Sequence, residues 1–380
     1  MRVWDELTGQ NEAIAVFRAA VAAAQSDDQG MAHSWLITGP PGSGRSNLAY
    51  AFASALLGGE NDEATWRQVD ARTHPDLGVL ATERVIITIE EVRALVASSQ
   101  FSPSVSRFRV MVIEDADRMT ERTSNVLLKA LEEPPPRTVW ILCAPSEADL
   151  IPTIRSRVRS VRLRVPSVGD VAELLHKRDG VPTALAERAA REAQSHIGMA
   201  HRLATNDEAR LRREQTLQTA LGIRTVTDAV LAAATLLDVA ADDAKAITEE
   251  RDTDERAAAM RSLGLEPGAA VPPALRGQLK NLDEDQKRRA TRSLRDGIDR
   301  ILVDLLSLYR DVLLLQLDAE LELVNSEIVG QLEKLAAASS PEQTLATLDA
   351  IATARRRIES NVAPALALEA MLVSARRSSL

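Results

Sequence analysis

His33 to Leu57, HSWLITGPPGSGRSNLAYAFASALL, is the stretch whose reading decides the fold. A short apolar run, His33–Thr38, stops at a Gly/Pro turn, and a helical pattern follows from Ser46 to Leu57. Between them, Gly39-Pro40-Pro41-Gly42-Ser43-Gly44-Arg45-Ser46 fits the phosphate-binding spacing G-x-x-x-x-G-K-[ST] at every position but one. Gly39, Gly42 and Gly44 let backbone N–H groups converge on an anion, and the N-terminus of the following helix adds positive potential. The Ser46 hydroxyl suits Mg²⁺. Arg45 stands where the pattern has lysine, and a forked guanidinium does not replace a thin-stemmed point charge. Lys129 is the only lysine before Lys177, so no neighbour takes over. The expectation is a nucleotide-type fold whose site is weakened or lost. The alternative is a glycine-rich strand-to-helix turn that binds nothing.

Working outward, Arg109–Ile113 and Thr138–Cys143 are further buried-type strands, and Val158–Val165 reads as a last one before Pro166. Such runs, separated by helical patterns, predict a parallel sheet covered by helices. Residues 167–204 read as short helices and nearly everything beyond as helical. Ile298, Ile301, Leu302, Leu305, Leu308, Tyr309 and Val312 recur at helical spacing. Gly264–Gly277 is a Pro/Gly break, expected to be a loop. Asp242–Glu255 is expected to be a solvated acidic helix face and Lys280–Arg295 a second charged helix. The expected layout is an α/β domain over 1–165, a small helical lid over 166–205 and a helical domain over 206–380.

The 380 residues suit two or three domains. The net charge is −9, with 18 basic and 21 acidic side chains in residues 1–165 and 28 and 34 in the remainder. Neither part is basic, which argues against a chain devoted to gripping nucleic acid alone. Cys143 is the single cysteine, so no internal disulfide or cysteine-based zinc site can form. Cys143 itself reads as a small core residue rather than a nucleophile. Trp4, Trp35 and Trp140 read as packing rather than base-stacking platforms. No run of 18 apolar residues occurs and Met1–Gln10 has no apolar leader segment, so a soluble, cytoplasmic protein without membrane partners is expected.

A second constellation is Val110-Met111-Val112-Ile113-Glu114-Asp115-Ala116-Asp117, an apolar strand ending in carboxylates. This is the Walker B arrangement, in which one acid holds Mg²⁺ and the next orients the attacking water. The usual order is Asp-Glu. Here Glu114-Asp115 reverses it, moving each carboxylate by about 1.5 Å, a displacement to which catalysis is sensitive.

Asn125-Val126-Leu127-Leu128-Lys129-Ala130-Leu131-Glu132-Glu133-Pro134-Pro135 and Ile154-Arg155-Ser156-Arg157 are more distinctive still. With Gly39–Ser46 and Glu114–Asp117 they resemble the clamp-loader branch of the AAA+ ATPases. Asp5-Glu6-Leu7-Thr8-Gly9-Gln10 is similar to that family's N-terminal box, and Asn361–Glu369 to its last helix. The resemblance is strong over 1–204 and 355–372 and weak over 205–300. It implies an AAA+ P-loop sheet domain, a helical lid and a helical collar. The departures at Arg45 and Glu114-Asp115 resemble the subunit class with a degenerate nucleotide site, and the phrase Ile113–Thr120 resembles that class in its high-GC actinobacterial form. The family usually carries a four-cysteine zinc module before its second strand. Here that stretch, Leu57–Leu77, has no cysteine, so zinc is expected to be absent, His74 alone cannot replace it, and packing around Trp66 must hold the segment.

By the same resemblance, Arg157 in Ser156-Arg157-Val158 is an arginine finger donated into a neighbour's ATP site. Arg155, Arg157, Arg159, Arg162 and Arg164 crowd this segment, and a basic edge strand or a phosphate-contacting patch would look alike. Ser146 is the nearest candidate for a polar sensor after the Val139–Cys143 strand. His201 falls where the lid sensor is arginine, with Arg202 one position, or about 100°, further round the helix. The implied function is that of a non-hydrolysing stator subunit in sliding-clamp loading during DNA replication. Its partners would be gamma/tau-type motor subunits and a delta subunit, and indirectly the sliding clamp and primer-template DNA. No cofactor is required on this reading, with ATP or ADP and Mg²⁺ confined to a weakened site at Gly39, Gly42, Gly44, Arg45, Ser46, Glu114 and Asp115. The alternatives are a self-sufficient AAA+ motor subunit or DNA-repair ATPase, and a regulator that binds nucleotide without turning it over.

Overall fold

A computed structural model describes residues 3–4, 7–26, 31–82, 86–262 and 276–375. Asp5 and Glu6 of the N-terminal box, and 264–275 of the Pro/Gly break, lie outside these residues. The chain divides into two compact units at Thr205/Asn206.

In the first unit the elements run α1 (Asn11–Gln25), β1 (Ser34–Thr38), α2 (Arg45–Leu57), α3 (Glu63–Asp70), β2 (Leu77–Leu80), α4 (Ile89–Ser99), β3 (Arg109–Ile113), α5 (Glu121–Glu132), β4 (Thr138–Ala144), α6 (Pro152–Arg155), β5 (Arg159–Arg162), α7 (Val168–Asp179), α8 (Thr183–Glu192) and α9 (Ile197–Thr205). The five strands form one parallel sheet in the order β2-β3-β4-β1-β5. Alternation along each strand divides the core between the faces. Trp35, Ile37, Val110, Val112, Val139 and Ile141 join the cluster under α1 and α2. Leu36, Met111, Ile113, Trp140 and Leu142 join the cluster under α4 and α5. Phe17, Trp35 and Phe52 pack with ring centroids 4.3–5.5 Å apart. Trp4, Trp35, Trp140 and Cys143 are all buried. Both faces being covered explains why these strands read as continuous apolar runs.

The last strand is shorter than the eight residues read from the sequence. Beyond Arg162, the backbone of Arg164 is taken by Gln10: its N–H donates to Gln10 Oε1 at 3.1 Å and its carbonyl accepts from Gln10 Nε2 at 2.9 Å. β2, with Gly78 in its middle, carries too weak a pattern to be read alone. Its anchor is Asp76, whose fully buried carboxylate accepts from the N–H groups of Ser104, Val105 and Ser106 at 2.6–2.8 Å and from Ser104 Oγ at 2.9 Å. The His74 ring accepts the Asp76 N–H at Nδ1, 3.1 Å away, and burial lowers its pKa. Trp66 is partly buried against the main core. The Leu57–Leu77 segment is thus held by packing and by the Asp76 network.

The second unit is helical: α10 (Asp207–Leu221), α11 (Val226–Ser262), α12 (Arg276–Gln316), α13 (Val329–Ala337), α14 (Pro341–Glu359) and α15 (Pro364–Ser374). Ile298, Ile301, Leu302, Leu305, Leu308, Tyr309 and Val312 of α12 are all in its core. Gly297 lets α12 approach α11 closely, since a Cβ there would lie 3.0 Å from the Ala240 carbonyl oxygen. Past that point the contact turns polar. Arg300 meets Asp243, Arg289 meets Asp252 and Glu255, and Arg256 meets Asp283. Within the acidic stretch read as a solvated face, Asp242 and Glu249 are exposed while Asp243, Asp252 and Glu255 pair with the charged helix opposite, and the falling partner numbers show that α11 and α12 run antiparallel. Arg213 donates to Asp304 and Asn325, and the Asn325 amide donates to fully buried Asp311. Among the described residues no helix is long and apolar enough to cross a membrane.

Candidate functional site

β1 and β3 lie on either side of β4, so the Gly39–Ser46 loop and Glu114-Asp115 emerge at the same end of the sheet. Gly42 and Gly44 have φ of 76° and 90°, the left-handed conformation that lets this turn close onto α2. Asp115 also takes φ 51°. The sequence pattern brings its two motifs together as a phosphate site requires, but their side chains bond to one another.

Glu114 is the hub. Its Oε2 accepts from Ser46 Oγ at 2.6 Å, and its Oε1 accepts from the Tyr50 hydroxyl at 2.5 Å. Arg72 adds an ion pair to Oε1 at 2.9 Å, its guanidinium 5.5 Å from the Tyr50 ring centroid. Burial and then the Glu114 charge push the Tyr50 pKa far up, so the phenol stays protonated and donates. Arg45 does not reach outward as the lysine of an intact loop would. It donates back to the Gly39 carbonyl and lies 3.9 Å from Asp115, which also pairs with Arg118. Burial, and next the Asp115 charge, raise the Asp117 pKa.

The lid helices close over the loop. The His196 ring lies where a Cβ on Gly42 would fall, 2.3 Å from such an atom, and the Ile197 N–H donates to the Gly42 carbonyl at 3.3 Å. His196 Nδ1 accepts from the Met199 N–H at 3.1 Å. Beside it is a cleft of about 480 Å³ whose lining includes Gly44, Arg45, Ser46, Arg178, Asp179 and His201. His201 bonds Asp179 at 2.7 Å, and Arg178 grips the same carboxylate through two 2.9 Å contacts. Arg178 first, and then burial opposed by His201, leave the Asp179 pKa lowered. Arg202 does not line this cleft.

Ser146 serves another purpose. It caps the short turn Glu147–Asp149, accepting from the Ala148 N–H at 3.2 Å while its own N–H donates to Asp149 at 2.9 Å. Arg157 stands apart from the loop site, just past α6. Its Nε donates to Glu132 Oε1 at 2.6 Å, and Nη1 donates to the Thr153 carbonyl at 2.8 Å and Ser156 Oγ at 3.0 Å. The side chain is 31% exposed. β5 is the sheet's edge strand, with Arg159 5.1 Å from the Trp35 ring centroid and Arg164 paired with Glu12. Burial pushes the Cys143 thiol far up, which makes it inert.

Tyr50, Arg72, His196 and Asp179 are site residues that the sequence reading missed. None sits in a motif, and Arg72, which reaches Glu114, has a φ of 58°.

Residues 9–167 match the family described as DNA polymerase III, delta subunit. Residues 292–376 match the one described as DNA polymerase III, delta subunit, C terminal. The DNA polymerase III subunit delta' of Pseudomonas aeruginosa is 34% identical over 152 residues, 38% of this chain and 46% of that protein. The delta' subunit of Haemophilus influenzae is 31% identical over 166 residues, 42% and 51%. The DNA polymerase III subunit gamma of Buchnera aphidicola is 31% identical over 156 residues, 38% and 41%. The chain spans about half the length of the curated relatives it matches. Two family models of the DNA polymerase III delta subunit thus match this chain, one over the unit that holds the five-stranded parallel sheet and one within the helical C-terminal unit.

Proposed function

We propose that this chain is the non-hydrolysing, delta-prime-type stator of a cytoplasmic DNA polymerase III clamp loader. It serves a neighbour's ATP site through Arg157 and turns over no ATP itself. The observation that carries this reading is the contrast in side-chain use. Ser46, Tyr50 and Arg72 converge on Glu114, and Arg45 is bound to its own loop, whereas Arg157 keeps a partly exposed guanidinium at the end of α6. A magnesium nucleotide does not fit the loop as these residues stand. His196 covers Gly42, Arg72 neutralises the carboxylate that Glu114 would offer a metal, and no lysine is among the residues lining the cleft beside the loop.

The partners on this reading are gamma/tau-type motor subunits on one side and a delta subunit in the same ring. The sliding clamp and primer-template DNA are handled by the assembly. A guanidinium offered at the γ-phosphate stabilises charge that develops in the transition state. The test is ATP turnover by the reconstituted loader with Arg157→Ala. Turnover at the served site falls by about 10³-fold with assembly intact. Unchanged turnover in a fully assembled complex removes the finger from the account.

A further inference from the structure

We propose that Glu132 is the positioning residue of Arg157, fixing the guanidinium at the end of α6 with one N–H free for a phosphoryl oxygen of the adjoining subunit. The inference rests on the reading of Arg157 as a finger.

A guanidinium carries five N–H donors. In Arg157 the Nε proton and one Nη2 proton go to the same oxygen of Glu132, and both Nη1 protons go to the Thr153 carbonyl and Ser156 Oγ. Four donors hold the group in place and one remains. An arginine free in solvent would have to be ordered at the moment of reaction. One already held loses little further freedom.

The position of Glu132 is not explained by folding. It is the last residue of α5, and Glu133 caps that helix. Acidic groups at a helix C-terminus oppose the helix dipole, and a lysine or arginine there would suit the helix better. The two side chains are 31% and 46% exposed, and a pair this open contributes little to stability. A local rule broken without a stabilising return marks a functional position. The contact also joins two motifs 25 residues apart, Leu131-Glu132-Glu133-Pro134-Pro135 and Ser156-Arg157, and gives the first of them a task.

The experiment uses the full chain in the reconstituted loader with Mg-ATP, comparing Glu132→Ala, Glu132→Asp, Glu132→Gln, Arg157→Ala and the double variant Glu132→Ala/Arg157→Ala. Glu132→Ala is expected to lower kcat about tenfold and leave KM for ATP within about twofold. Glu132→Asp restores most of the loss and Glu132→Gln less. In the Arg157→Ala background, removing Glu132 costs nothing more, because the two act as one unit. Multiplying losses, or an unchanged kcat in Glu132→Ala, overturn the positioning role and leave the finger standing. An assembled Arg157→Ala complex of normal turnover removes the finger and this inference together. Gel filtration of each complex shows that the readings are per assembled loader. A Glu132→Ala defect confined to assembly also overturns the proposal.

Discussion

Two arginine-bearing sites lie in one α/β unit and are built in opposite ways. At the loop site the side chains of the two motifs are engaged from within: Arg72, Ser46 and Tyr50 meet at Glu114, and Arg45 folds back onto Gly39 and Asp115. At the end of α6, Arg157 is held by surface groups and keeps donor capacity towards solvent. A fold keeps its backbone scaffold long after a site within it changes use, because the scaffold is fixed by core packing and the site by a handful of side chains. Here Ser46 and Tyr50 of α2 and Glu114 at the end of β3 bond to one another and stitch the sheet end to α2.

The comparison breaks first on the arginines. In the reconstituted loader Arg157→Ala is expected to cost about 10³-fold at the served site, and Arg45→Ala less than about twofold. Equal losses would mean that the loop site still works. Asp76 supports the sheet that carries both sites. Burial alone would raise its pKa, but the amides of Ser106, Ser104 and Val105 outweigh it and hold the carboxyl at about 2, below its ordinary 3.8. Its stabilising contribution is therefore complete above about pH 4 and is lost as pH falls towards 2. Asp76→Ala should cost about 3 kcal/mol in denaturant unfolding at pH 7 and flatten the acid limb of the stability curve. An unaltered acid limb would contradict that assignment.

A smaller effect sharpens the contrast from the other side. Arg72→Ala removes the cation that competes with a metal for Glu114, and calorimetry should find Mg-ADP affinity raised by about threefold, the worth of an exposed ion pair. No change in affinity would mean that Arg72 does not oppose the metal. Smallest of all, Cys143 should stay unlabelled by an alkylating reagent until the chain unfolds, since it is buried and its thiol is held protonated.

Much of the scaffold was legible. The β1, β3 and β4 runs are apolar because helices cover both faces, and the α12 stripe is apolar because α11 covers it. β2 was not legible as a pattern: four residues around Gly78 depend on Asp76 and on β3. The motifs named Ser46, Glu114 and Arg157, but nothing local told that Arg72 would reach Glu114 or that His196 would cover Gly42. Such contacts arise from residues brought together by tertiary packing across long sequence separations. The charged stretches of α11 and α12 were read singly, whereas their meaning lies in the pairing of Asp252 and Glu255 with Arg289.

The central claim is that this chain completes another subunit's ATP site and has none of its own. Its most direct test is Mg-ATP binding and turnover by the purified chain alone. The account predicts no turnover and binding that is weak or absent. Steady turnover abolished by Ser46→Ala would contradict it and make the chain a motor in its own right.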